Sequence, residues 1–252
     1  MTPQQLARQA RAAMKVAADP QVAASQRRFF KPWEKVYVCG ISTPGVRRIA
    51  RELHQQIRQT WTYANAVSFC DILMHDRYIE ARSLGLTLLI RYQRHFQATL
   101  AADAKRWLLA SRCDNWALTD ALSMQILSPL LEQFPPLAKE YAAWTTSPNL
   151  WVRRAGVVAF VKPARKGAHL DTVYRLAAAL AGDQEDLMHK ASGWLLREAG
   201  KTDPRRLEQF LLAQGPTLPR TTVRYAIERF PETRRRKILA RTLAGSLSRT
   251  SS

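Results

Sequence analysis

The stretch "EDLMHKASGWLLREAGKTDP", residues 185–204, decides the fold class. Its apolar residues recur at steps of three and four, it stops at Gly200, and Thr202-Asp203-Pro204 opens another helix at once. A side-chain acceptor followed by Pro in the first turn is what the unpaired N–H groups of a helix start favour. Steps of three and four from Trp194 reach Lys190 and Arg197, so one helical face carries an indole between two cations. A structural answer is a core Trp covered by the stems of Lys and Arg. A nucleic-acid answer is a ring that touches sugar or base while the cations hold phosphates.

The same punctuation runs outward along the chain. "STPGVRRIARELHQQI" starts with Ser42 or Thr43 before Pro44, "CDNWALTDALSMQIL" at Asp114 or Asn115, and "TSPNLWVRRAGVVAFV" with Ser147 and Pro148. Between the starts the apolar spacing is helical, and no alternating strand or Asn-Gly hairpin is present. Short apolar runs such as "LGLTLLI" (84–90) lie inside helical patterns. About a dozen helices with short connections predict an all-α chain, either a stack of helical hairpins or a bundle. A degenerate HEAT-like superhelix, an α-solenoid with a concave face able to take a DNA duplex, is the expectation. No Pro/Gly/Ser-rich linker divides the chain, so residues 1–243 are expected to form one repeat domain and 244–252 a disordered tail.

Composition narrows the partners. The 252 residues carry a net charge of +19, and 29 of the 39 basic residues are Arg. Residues 201–252 hold 12 Lys and Arg against 4 Asp and Glu. Such a chain associates with polyanions, of which DNA and RNA are the usual ones. The five His are scattered, and Cys39, Cys70 and Cys113 lie far apart, which excludes a metal-ligand spacing and fits a reducing cytoplasm. No metal or cofactor is expected. Neither a membrane span nor a secretory signal is present, and a cytoplasmic monomer acting on nucleoid DNA is expected.

Three helices place charge on apolar faces. Trp116 and Asp120 are four apart, and Ser123 and Leu127 continue their stripe. Asp120 either pairs with a neighbouring helix or does chemistry beside the indole. Leu150, Arg154, Val157 and Val161 share another stripe, which points Arg154 inward and turns Arg153 about 100° away. An inward Arg must meet a carboxylate, a carbonyl or a phosphate. Trp194 with Lys190 and Arg197 makes the third face.

With these blocks and "LPRTTVRYAIERFP" (218–231), the chain resembles the DNA alkylation repair family of HEAT-like, AlkD-type alkylpurine DNA glycosylases. The likeness runs from "YVCGISTPGVRRIARELH" to about residue 230. It implies a superhelix of paired helices around duplex DNA, and removal of cationic alkylated purines such as 3-methyladenine and 7-methylguanine without flipping the base into a pocket. It assigns the catalytic carboxylate to Asp120, the two indoles at the lesion to Trp116 and Trp194, and the phosphate-contacting Arg to Arg154, three residues after Trp151. Lys190, Arg197, Arg153 and Arg224 are expected to bind DNA beside them. The position before the N-terminal Thr-Pro, where the family has a polar residue near DNA, is Ser42.

The chemistry agrees with these roles. A purine with a ring cation leaves without protonation, and a fixed carboxylate stabilises the oxocarbenium-like sugar and orients water. Indole faces attract the electron-poor sugar C–H groups, and a guanidinium sets the strand by holding a phosphate. Three other readings remain: a catalytically silent HEAT-like protein that binds damaged DNA, a helical scaffold for proteins, and a lyase using Lys190 as Schiff-base nucleophile.

Overall fold

The computed structural model describes residues 1–244. Its regular elements are helices; the one extended pairing among the described residues is an isolated parallel bridge between Tyr37 and Tyr78. The chain divides into two compact units, Met1–Ile126 and Leu127–Ser252. The division falls in a π-helical turn, Ser123–Leu127, with no Pro, Gly or Ser tract to mark it. That is why the sequence reads as one domain over 1–243. The expected tail at 244–252 lies, except for the last residue of the final helix, outside the described residues.

The first unit holds α1 (Pro3–Ala17), α2 (Pro20–Arg27), α3 (Thr43–Ile57), α4 (Tyr63–Met74), α5 (Ile79–Leu89), α6 (Leu100–Leu109) and α7 (Trp116–Leu122). The second holds α8 (Ser128–Gln133), α9 (Leu137–Trp144), α10 (Leu150–Val158), α11 (Val161–Arg165), α12 (Leu170–Ala179), α13 (Asp186–Ala199), α14 (Pro204–Gln214), α15 (Arg220–Ala226) and α16 (Glu232–Ala244). Side-chain caps set many of the starts. Thr2 and Gln5 form a reciprocal capping box on α1, Thr62 and Asn65 another on α4, and Asp203 accepts from Arg206 N at 2.9 Å before α14. The helix opening at "NLWVRR" is the exception to the sequence reading. Its cap is Asn149, which accepts from Trp151 N and Val152 N, while Ser147 and Pro148 lie outside it. The Ser147 hydroxyl instead receives the Asn149 N–H, a local serine turn that competes with a cap.

Packing follows the repeat logic. In the first unit α4 lies on α5, and α3, α5 and α7 pack as a row of alternate helices. In the second, α11, α13 and α15 form such a row, with α12 against α13 and α14 against α16. This alternation is that of stacked helical hairpins. Val46, Ile49, Leu53 and Ile57 of α3 are buried at steps of three and four, as are Leu207 and Leu211 of α14. Burying each such side chain contributes roughly 1.5–3 kcal/mol. No helix among the described residues is long and apolar enough to cross a membrane.

Two buried carboxylates organise loops. Glu80 accepts from the amides of Cys39, Gly40 and Ile41, which fixes the approach to α3. Gly40 sits at φ +86°, and a Cβ there would stand 1.9 Å from Asp19 O, so only glycine fits. Glu198, 2% exposed, accepts from Arg165 Nε and Lys201 Nζ, both at 2.6 Å. Burial raises the Glu198 pKa, but the bonds from Lys201 and Arg165 outweigh it and hold the carboxyl below its usual range. The environments of the three thiols favour the protonated form. Burial, with Glu80 beside it, pushes Cys39 up to about 12; burial does the same to Cys113 and raises Cys70 well above the ordinary value.

Candidate nucleic-acid interface

In the first unit, Arg82 sets the entry to α7 by donating to Arg112 O at 3.1 Å and Asp114 Oδ1 at 3.0 Å. Asn115, 1% exposed, caps the helix by accepting from Leu118 N. Trp116 and Asp120 then share a half-exposed face, one turn apart. Trp116 is braced by Phe30, ring centroids 5.7 Å apart and planes tilted 30°. The stripe expected to continue through Ser123 and Leu127 does not. The α-helix ends at Leu122, the π turn adds a residue, and Ser123 turns inward to donate to Thr119 O at 2.7 Å. Both Ser123 and Leu127 are buried. A π turn of this kind re-aims the residues around it, and here it confines the indole–carboxylate face to the first two turns. Ser42 is exposed and caps α3 through Gly45 N at 3.3 Å, so its hydroxyl already has a structural partner.

In the second unit, Arg154 is 5% exposed and donates to the carbonyl of Leu187, in the first turn of α13. It is one of the partners an inward Arg was expected to meet. Arg153 points the other way, pairs with Asp183 at 3.0 Å and donates to Ser147 O and Pro148 O. It ties the start of α10 to the loop before α13.

The cations flanking Trp194 have carboxylate partners. Lys190 reaches Asp186 at 2.7 Å on the solvent side, and the bond to Asp186 holds its ammonium above the ordinary lysine value. Arg197 pairs with Glu228 and stands 3.6 Å from Glu198. The Asp186–Lys190 spacing of four is visible in the sequence; Glu228 arrives from beyond α15, which no local spacing reveals. The exposed Lys190 pair contributes little stability, ~0.2–1 kcal/mol, and its ammonium can exchange a carboxylate for a phosphate. Arg197, with a side chain 18% exposed, is held more firmly.

Trp194 itself is half-buried, and Gly193 beside it brings α13 against α15. A Cβ on Gly193 would meet Tyr225 Cβ at 2.4 Å and Thr222 O at 2.7 Å. Thr222 Oγ1 donates to His189 O at 3.1 Å across the same contact. The result is an open groove of about 510 Å³ lined by Lys190, Thr221, Arg224, Tyr225 and Arg235 together with the carboxylates of Asp186 and Glu228. The structure thus brings Arg224 and Lys190 to one groove. Thr221, Tyr225 and Arg235 were not singled out from sequence. Among the described residues no three His, Cys, Asp or Glu converge as metal ligands.

The class of this strongly basic helical-repeat chain, with its indole–carboxylate face and charged groove, is defined by comparison. The family model for DNA alkylation repair enzymes matches residues 10–230, and the chain belongs to that family. A solved structure described as a predicted DNA alkylation repair enzyme from Enterococcus faecalis shares the fold, with a TM-score of 0.74 over 85% of this chain and 97% of that one at 17% identity. No curated protein matches the chain. The protein is therefore an enzyme of alkylated-DNA repair.

Proposed function

We propose that the protein is a monofunctional DNA glycosylase that hydrolyses the N-glycosidic bond of positively charged alkylated purines, such as 3-methyladenine and 7-methylguanine, in duplex DNA. It acts as a single chain and does not flip the base into a pocket. The observation that carries the reading is the Trp116–Asp120 face: an indole and a carboxylate, one turn apart, both half-exposed, on a protein of net charge +19 from the alkylation-repair family.

In the proposed reaction the C1′–N bond breaks and its electron pair leaves with the purine, which neutralises the ring cation. The sugar becomes oxocarbenium-like. Asp120 stabilises that positive charge, then orients a water whose oxygen bonds to C1′ and whose proton is released. Trp116, braced by Phe30, presents its face to the sugar. The second unit contributes binding. Trp194 contacts sugar, Arg154 anchors a phosphate and orders the first turn of α13, and Lys190 and Arg224 offer phosphate contacts along their groove. Arg153, Arg197 and Ser42 add contacts beside them, and each of the three, like Arg154, also serves the fold.

The test is release of methylated purines from methylated duplex DNA, wild type beside Asp120→Asn. The variant keeps the shape and removes the charge. Single-turnover excision should fall on the order of tenfold to a thousandfold, as for loss of one electrostatic stabiliser. DNA affinity should hold or rise slightly, because a repulsion with phosphate disappears. Excision at the wild-type rate by Asp120→Asn would make Asp120 structural. Absence of release by the wild type would leave a DNA-damage binder without chemistry.

A further inference from the structure

Between α2 and α3 the chain crosses the surface as "RFFKPWEKVYVCG", residues 28–40. Three of the four exposed aromatic rings among the described residues stand there: Phe29 is 71% exposed, Trp33 76% and Tyr37 55%. Arg28, Lys31 and Lys35, interleaved with them, are exposed as well. The one acid of the stretch, Glu34, has its carboxylate turned back onto Lys31 N–H.

A slack loop with this composition would fold its rings onto the nearest apolar surface, because burial of apolar area drives folding. This loop is held open. Arg27 donates to the carbonyls of Lys31 at 3.0 Å, Pro32 at 3.1 Å and Glu34 at 2.8 Å, a guanidinium grip on the turn itself. Phe30 plugs the loop into the core against Trp116. Tyr37 is fastened by its bridge to Tyr78, with Ile79 N donating to Tyr37 O at 3.0 Å, and the Glu80 carboxylate captures the amides of Cys39, Gly40 and Ile41 just after it. Arg77 adds a cation 6.0 Å from the Tyr37 ring and 4.6 Å from the Tyr78 ring. Aromatic faces and cations are presented together on a fixed frame, with no unengaged carboxylate among them.

The partner that fits flat apolar faces and fixed positive charge at once is a polyanion whose bases are free to stack. We propose that the loop of residues 28–38 is a second DNA site, which binds unpaired DNA by stacking bases on Phe29, Trp33 and Tyr37 while Arg28, Lys31, Lys35 and Arg77 hold phosphates. Stacking is sequence-tolerant because every base has a π face, and the cations track the backbone. Duplex DNA keeps its bases inside and cannot use the rings, so this site stands apart from the glycosylase reading. It suits a strand left unpaired beside a damaged or base-free position.

The experiment compares two oligomers of equal charge on the full chain: an oligothymidylate about 20 nucleotides long and one of the same length whose sugars carry no bases. Wild type should bind the first about tenfold or more tightly. Phe29→Ala/Trp33→Ala should lose that preference and bind both like the base-free oligomer, with the salt slope unchanged because the cations still hold their phosphates. Lys31→Ala/Lys35→Ala should weaken both oligomers and flatten the salt slope by roughly 0.7 for each phosphate no longer held. Helix content and melting temperature, unchanged in the variants, keep the comparison one of binding. Equal wild-type affinity for the two oligomers overturns the proposal, as does wild-type affinity for oligothymidylate in the double ring variant. So does capture by phosphatidylserine vesicles that depends on Phe29 and Trp33 while oligothymidylate binding does not. Release of methylated purine is read separately, so a failed glycosylase assay leaves this result intact.

Discussion

Gly193→Ala tests the contact on which the groove of the second unit rests. The added methyl would lie 2.4 Å from Tyr225 Cβ, 2.7 Å from Thr222 O and 3.2 Å from Thr222 Cα. All three atoms belong to the α15 backbone or its first side-chain carbon, so no rotamer change removes the clash. To restore ordinary contact of about 3.5–4 Å, α13 and α15 must part by about an ångström. Overpacking of that kind costs roughly 1–3 kcal/mol. The gain in helix propensity from Gly to Ala, up to about 1 kcal/mol, offsets part of it. A net loss of up to about 2 kcal/mol remains, or up to ~8 °C in the melting temperature of a chain this size. Separation also stretches the 3.1 Å bond from Thr222 to His189 O and moves Lys190 from Arg224. Duplex DNA affinity should therefore fall with stability. Gly182→Ala is the control: nothing lies within 4 Å of its added Cβ, so it should be neutral or stabilise by up to ~1 kcal/mol. Thermal and urea unfolding followed by far-ultraviolet circular dichroism reads both. A Gly193→Ala protein that melts at or above wild type refutes the packing argument.

Further expectations concern charge. Arg153→Ala breaks a mostly buried ion pair with Asp183 and two bonds to carbonyls, so it should destabilise by roughly 1–3 kcal/mol, whereas Arg154→Ala should lower excision more than Arg153→Ala once both are assayed below their melting points. Equal effects on excision would mean that the inward stripe on α10 has no functional meaning. The depressed Glu198 pKa contributes stability that is fully present above the ordinary value of 4.5 and is lost as pH falls through the folded value. Urea midpoints measured across that acid range should fall in wild type and fall less in Glu198→Gln; parallel curves would contradict the linkage. Native protein should resist labelling by iodoacetamide at neutral pH at Cys39, Cys70 and Cys113 and label at all three when unfolded, as counted by mass spectrometry. Rapid native labelling of Cys39 would show that its environment is more open than the structure has it.

The sequence carried the helical architecture because caps are local. Ser42, Asn115 and Asp203 each bond an amide three residues on, and residue type with spacing is enough to read that. It carried the inward turn of Arg154 for the same reason: a helical stripe is a local regularity. It missed the Asn149 cap because Ser147-Pro148 offers an equally good local signal two residues early. It missed the π turn because an i→i+5 step leaves no mark on composition, so the stripe from Trp116 ran on to Leu127. Phe30 behind Trp116 and Glu228 on Arg197 are contacts between distant segments, and spacing says nothing of them.

The state of the thiols bears on how alkyl damage is dealt with here. One general route for removing a misplaced alkyl group is to move it onto a protein cysteine, which consumes one molecule of protein per lesion. That route needs an accessible thiolate. Cys70 and Cys113 are fully buried, and Cys39 is held protonated by burial and the Glu80 carboxylate. None of the three cysteines offers a readily available thiolate, so none of them is suited to accept an alkyl group.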